Sequence, residues 1–280
     1  MDIRKNLLML RKSCLIIFII FLLRPSYAQV DNDAIEIGTL VFNPPYELVV
    51  DEHHNSSGFN IEIIQDICQL INTKCNMKPM RFDRLMQALD NGEVDAIIVG
   101  VSLMPKNGEN YIFSQPYFMG DAVFLSLGSN QFDSFNKKTI GIVQNTILPL
   151  SEYYDLIVYK DENLTRQYVL KFKFYNNLPQ LLEALDTQDV DAIILDAGAA
   201  YYWQSQSSKH YQVVGSAVVI KQGMRIMALK DKKELITLFN NALKEMESNG
   251  ELLRIYLKYW SSIHPEKGSV GILLPTEREY

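Results

Sequence analysis

The chain has 280 residues, 48% of them hydrophobic, enough apolar material for two ordinary domains, and a formal net charge of −6. That acidic balance, with no basic stripe to neutralise phosphates, excludes nucleic acid as a partner. Four histidines and three cysteines, with no HExxH or cysteine-rich spacing, give no metal site and no cofactor site.

In chain order, the first 28 residues read as a targeting segment. Arg4, Lys5, Arg11 and Lys12 make a basic start, Cys14 to Leu23 an apolar core, and Ser26-Tyr27-Ala28 a cleavage site. The ten-residue apolar core is short of the roughly 20 residues that a membrane span needs. Removing this segment takes away five cations and one anion, which leaves 252 residues with a net charge of −10.

Ile35 to Leu40 reads as a first strand and Asn43-Pro44-Pro45 as a rigid loop. Gly58 opens a helix over Asn60 to Ile71, with apolar residues at Ile61, Ile64, Ile67 and Ile71. Cys68 and Cys75 form an isolated pair in an exported chain, so a disulfide is expected. Continuous helix would hold their Cα atoms about 10 Å apart, beyond the ~7 Å a disulfide tolerates, so the helix must stop between them. A second strand is expected near Met77 to Phe82, a helix from Asp83, and a third strand over Val94 to Val99. This β-α-β-α-β order predicts a parallel sheet covered by helices.

The chain then crosses to a second lobe around Phe118 to Ser126. Lys138 to Val143 starts a new strand and Gln144-Asn145-Thr146 the following turn. Tyr153 to Phe174 is ambiguous. Leu181 to Asp196, LLEALDTQDVDAIILD, then nearly copies Leu85 to Gly100, LMQALDNGEVDAIIVG, with nine of sixteen positions identical at an offset of 96. A helix-turn-strand unit used twice predicts two matching α/β lobes. In open α/β sheets ligands sit beyond the carboxyl ends of strands, which makes Gly100 and Asp196 the first candidates for the walls of a shared cleft. Gln222-Gly223 marks the return crossing. Asp231 to Asn249 is an amphipathic helix stopped by Gly250, and Glu251 to Trp260 another. The expected partition is residues 29–120 plus 224–262 in one lobe, 121–223 in the other, and a tail at 263–280.

The ordered motifs PPYE (44–47), GFNIEI (58–63), FDRLMQAL (82–89), VDAIIVGVS (94–102), FSQPYF (113–118) and VDAIILD (190–196) resemble the extracellular solute-binding proteins of polar amino-acid ABC transporters. The resemblance spans Ile35 to Trp260. It implies two doubly wound α/β lobes joined by two hinge strands, a monomer in the periplasm that closes over one small polar solute and delivers it to an ABC permease in the inner membrane. The Cys68 and Cys75 pair is similar to the disulfide of the family's basic amino-acid binders. Asp196 falls where the family binds the ligand ammonium, and it is also a good helix N-cap. Phe42 and Phe82 fall where aromatics sandwich a ligand side chain, which mildly favours a cationic ligand.

Ser102 and Thr146 match the family's polar contacts, whereas Ile147 replaces a residue that is commonly polar. In Ser102-Leu103-Met104-Pro105-Lys106-Asn107 an asparagine stands where the resemblance places a carboxylate-clamping arginine. Asparagine has no charge and no planar two-pronged donor. Two alternatives stay open: Lys106 and a helix N-terminus at Pro105 compensate, or the ligand lacks an α-carboxylate. A cleft enzyme on the same scaffold, such as a dehydratase, is the other function class, but no acid/base constellation supports it.

Overall fold

The computed structural model describes residues 34–53, 55–99, 110–130, 132, 135–144, 171–218 and 223–260. The chain opens with β1 (Ile35–Leu40), followed by a small antiparallel sheet of β2 (Phe42–Asn43), β3 (Glu47–Val49) and β4 (Ser56–Ser57). Next come α1 (Phe59–Leu70), β5 (Cys75–Met80), α2 (Phe82–Asp90), β6 (Ala96–Val99) and β7 (Tyr111–Phe113). The second part holds β8 (Ala122–Leu127), β9 (Thr139–Val143), β10 (Lys171–Tyr175), α3 (Leu178–Asp186), β11 (Ala192–Asp196), α4 (Ala197–Gln206) and β12 (Tyr211–Val218). The chain then returns through β13 (Arg225–Leu229), a short 3-10 turn at Lys230–Lys232, α5 (Lys233–Ser248) and α6 (Glu251–Trp260).

These elements build two five-stranded sheets, β5-β1-β6-β13-β7 and β10-β9-β11-β8-β12. In each, four strands run the same way and the fourth in order, β13 or β8, runs against them. The parallel β-α-β-α-β core is therefore present in the first sheet, but the sheet as a whole is mixed. The reason lies in β13: Ile226, Met227 and Ala228 are fully buried, so this returning strand has to lie inside the sheet, between β6 and β7.

The repeated sequence is a repeated packing unit. Leu85, Ala88, Leu89, Val94, Ala96 and Ile97 are buried, as are Leu181, Ala184, Leu185, Val190, Ala192 and Ile193 at the constant offset. Each pair of large apolar residues presses on a glycine of the first parallel strand. A Cβ on Gly38 would come 2.9 Å from Ile97 and 3.2 Å from Leu85, and one on Gly141 would come 3.1 Å from Ile193 and 2.7 Å from Leu181. The aspartate inside each VDAII run ties the strand ends together. Asp95 accepts from the Glu36 amide and from Lys232 Nζ, at 2.9 and 2.8 Å. Asp191 accepts from the Thr139 amide and from Lys138 Nζ, at 2.8 and 2.9 Å. Partial burial works against ionisation at both sites, yet these donors hold both carboxyls below their ordinary values.

α1 stops at Leu70, Asn72 turns the chain in the left-handed region (φ 51°), and Cys68 and Cys75 are bridged with their Cα atoms 6.1 Å apart. β5 runs from Cys75 to Met80, two residues earlier than expected, because Phe82 already belongs to α2, with Asp83 in its first turn. Pro79 is accommodated because β5 is the edge strand. The two crossings between the sheets run side by side: Phe118 bridges Met224, whose amide donates to the Phe118 carbonyl at 2.7 Å. Gly223 adopts φ +64° there, and a Cβ would lie 2.8 Å from that same carbonyl. Residues 1–28, the tail at 263–280 and residues 153–170 of the ambiguous stretch lie outside the described residues.

Candidate functional site

Asp196 is the last residue of β11 and the N-cap of α4: its Oδ1 accepts the Ala199 amide at 2.9 Å. The cap role is therefore real, and it fixes the carboxylate at a strand tip in the helix's positive field. The same Oδ1 accepts the hydroxyl of Tyr46, which comes from the β2–β3 turn beside the other sheet. Burial raises the Asp196 pKa, against the opposing pull of the Tyr46 hydroxyl and the α4 amides. Tyr46 is fully buried, and burial followed by the Asp196 carboxylate pushes its own pKa well above the ordinary phenol value. The Tyr46 ring lies 5.5 Å from that of Trp260 and 6.1 Å from that of Phe118, centroid to centroid.

Gly198 lets these groups approach. A Cβ there would collide with the Tyr46 hydroxyl and sit 2.8 Å from Trp260 Nε1. α6 thus delivers the Trp260 indole to the first turn of α4, where its buried N–H has no hydrogen-bond partner among the described atoms.

Beside Tyr46, Glu47 is fully buried. Its oxygens accept Nδ2 of Asn60 at 2.7 Å and of Asn43 at 2.8 Å, and Asn60 Oδ1 accepts the Tyr117 hydroxyl at 2.9 Å. Desolvation dominates the two amide donors and lifts the Glu47 pKa to about 7. Arg225, first residue of β13, pairs in register with Val99, the last residue of β6, so a cation stands at the strand end that runs into Gly100. Partial burial lowers its pKa.

Phe42 and Phe82 belong to different apolar clusters. Phe42 packs against the second sheet's core, its ring 5.9 Å from that of Trp203 on α4. Phe82 packs on the first sheet's cluster of Leu85, Leu89 and Ile97. Gly100, Ser102, Asn107 and Thr146 lie outside the described residues. A cavity of about 460 Å³ opens between the 44–58 loop, the end of α4 and the end of α6, lined by residues including Pro45, Gly58, Tyr202, Gln206 and Tyr259. It contains none of the predicted ligand residues. Among the described residues no group of three or more His, Cys, Asp or Glu side chains could hold a metal ion, and no helix is long and apolar enough to cross a membrane.

Tyr46, Glu47, Asn60, Arg225 and Trp260 were not singled out from the sequence. Tyr46 and Glu47 sit inside the quoted PPYE motif and Asn60 inside GFNIEI, but nothing in their spacing says that they are buried partners.

Residues 35–262 match the family described as bacterial extracellular solute-binding proteins, family 3. The chain belongs to this family. Among its relatives, the arginine-binding extracellular protein ArtP of Bacillus subtilis (strain 168) is 27% identical over 229 residues, 80% of this chain and 85% of that one. The arginine-binding periplasmic protein of Mannheimia haemolytica is 29% identical, over 77% of this chain and 86% of that protein. Among solved structures, an arginine 3rd transport system periplasmic binding protein from Legionella pneumophila superposes with a TM-score of 0.71 at 30% identity, covering 81% of this chain and 99% of that one. The two-lobed fold is that of type II periplasmic binding proteins. These relatives are solute-binding proteins, and the chain is a binding protein of their kind rather than an enzyme, which sets aside the dehydratase alternative.

Proposed function

We propose that the protein is the periplasmic solute-binding component of an ABC importer, exported through a cleaved signal peptide, and that it captures a polar amino acid by closure of its two lobes. A cationic amino acid such as arginine is the preferred ligand class. The observation that carries this reading is the carboxylate of Asp196, held at the tip of β11 and the mouth of α4, next to residues of the other lobe. A zwitterion needs such an acceptor for its ammonium, and a charge-assisted bond in a closed cleft is the strong kind. The relatives named for arginine support the ligand class.

The ligand carboxylate is the harder end, since Asn107 cannot clasp it. Arg225 pairs in register with Val99 at the end of β6, and we assign its guanidinium this task. The lobes are residues 29–120 with 224–262 and residues 121–223, and the protein works as a monomer that hands its solute to an inner-membrane permease. Closure follows population shift: the ligand favours the closed form only by as much as it binds that form better.

A melting screen of the purified protein against amino acids, amines and opines tests the reading. Arginine at a hundredfold excess over its Kd contributes about 2.7 kcal/mol, a rise of roughly 5–10 °C. Asp196→Asn, which keeps a capping oxygen for α4, removes that rise. If no amino acid shifts the wild type, or if the variant shifts equally, the reading fails. Asn107→Arg tightens binding of ordinary α-amino acids if the missing arginine sets selectivity.

A further inference from the structure

We propose that Tyr46 is a positioning residue for ligand capture: its hydroxyl reaches from the first lobe to the Asp196 carboxylate of the second, aiming that group and favouring its charged form. This rests on the assignment of Asp196 as the ammonium acceptor and adds the residue that prepares it.

The geometry is over-determined on the first-lobe side. The carbonyls of Pro45 and Tyr46 accept the Phe59 and Asn60 amides, both at 3.0 Å, and so cap the open N-terminus of α1. Gly58, at φ +133°, is needed for that approach, because a Cβ would lie 2.6 Å from the Tyr46 carbonyl carbon. With its backbone used as a helix cap and its ring enclosed by Phe59, Phe118 and Trp260, Tyr46 has one place for its hydroxyl. That place is Asp196 Oδ1, beside the glycine that leaves room for it.

Oδ1 already accepts two hydrogen bonds, from Tyr46 and from the Ala199 amide, which fills its two lone pairs. The Gly198 amide and the residue's own amide also face the carboxylate, and a ligand ammonium would take its remaining acceptor capacity. The phenol is a donor that carries no charge of its own: burial keeps it protonated, so it stabilises the carboxylate without competing as a cation would. The titratable groups around Asp196 are few. The β2–β3 turn contributes Tyr46 and Glu47, with Tyr117 behind Glu47. The β8 side contributes Asp121, whose carbonyl accepts the Ala197 amide at 2.7 Å. α6 contributes the uncharged indole of Trp260. Glu47, once ionised, opposes the Asp196 charge, and the Tyr46 hydroxyl works in the other direction.

The experiment compares wild type, Tyr46→Phe and Asp196→Asn as purified proteins. Tyr46→Phe keeps the enclosed ring and deletes only the hydroxyl. Two readouts separate positioning from packing. The first is the titration of the Asp196 carboxyl carbon by NMR without ligand, whose midpoint moves to higher pH in Tyr46→Phe. The second is arginine affinity by calorimetry from pH 5 to 8. Affinity in Tyr46→Phe falls about tenfold, as for loss of one hydrogen bond to a charged group, and its acid-side decline begins at higher pH than in the wild type. An unmoved Asp196 midpoint overturns the proposal. So does unchanged arginine affinity in Tyr46→Phe when Asp196→Asn abolishes binding. If Asp196→Asn binds arginine like the wild type, the ammonium assignment itself is wrong and the positioning role falls with it.

Discussion

Glu47→Gln should make the protein more stable at alkaline pH and leave it nearly unchanged in acid. The wild-type carboxyl is fully buried, and its pKa rises from the ordinary 4.5 to about 7 because burial outweighs the Asn60 and Asn43 donors. Between those two values the native protein holds a proton that the unfolded chain has already released. Stability from this group is therefore complete below the window, falls across it as pH rises, and levels off above about 7. A shift of this size amounts to about 3 kcal/mol. For a chain of this length that is roughly 6–12 °C in melting temperature.

Glutamine is the neutral isostere of the protonated acid. Either group sets a donor against one of the two asparagine amides, and Asn43, only partly buried, can turn its amide over to accept it. Calorimetric unfolding of both proteins at pH 4, 5, 6, 7 and 8 reads the effect as a difference, in which the other titrating groups cancel. The two proteins should match at pH 4 and diverge by about 3 kcal/mol at pH 8, with the variant more stable. A difference that is the same at pH 4 and pH 8 would refute the claim that Glu47 titrates near neutrality.

Gly198→Ala forces a methyl against the Tyr46 hydroxyl and Trp260 Nε1, and urea titration should show a loss of about 1–3 kcal/mol from overpacking. Cys68→Ser with Cys75→Ser opens a loop with a sequence separation of 7, and should lower stability by about 2–3 kcal/mol, a loss that dithiothreitol reproduces in the wild type and not in the variant. Arg225→Gln should weaken arginine binding by tenfold or more in calorimetry while leaving the binding of an amine without a carboxylate unaltered, since only the former loses the assigned partner of its carboxylate.

Much of the fold was legible because periodicity reports core packing. β1 and α6 match their sequence readings, and the repeat at an offset of 96 shows which leucines, isoleucines and aspartates play equivalent parts in the two sheets. The short sheet β2-β3-β4 and the strands β7, β8, β12 and β13 were not read from the sequence, for physical reasons. Two- and three-residue strands have no period to detect, β8 and β13 are short apolar runs that could equally be buried helix, and β12 has an irregular register between Val214 and Val218. Asp196 could be found because it ends a repeated strand. Tyr46, Asn60 and Trp260 could not, because their roles are long-range: the Tyr46–Asp196 bond joins residues 150 apart in the chain.

Those long-range contacts bear on how closure is tuned. The Phe42–Trp203 ring pair, the Tyr46–Asp196 hydrogen bond and the Trp260 indole against Gly198 each connect a first-lobe side chain to α4 or its cap. All three therefore act on one rigid element of the second lobe rather than on scattered surface points. On the proposed assignment, a ligand that adds its ammonium to Asp196 would strengthen the same junction, and only that added free energy would shift the balance between open and closed forms. A shift from 1:99 to 99:1 takes about 5.5 kcal/mol of such preference. If the proposed assignments hold, selectivity turns on the ligand carboxylate: a zwitterion would engage both Asp196 and Arg225, an amine without a carboxylate Asp196 alone.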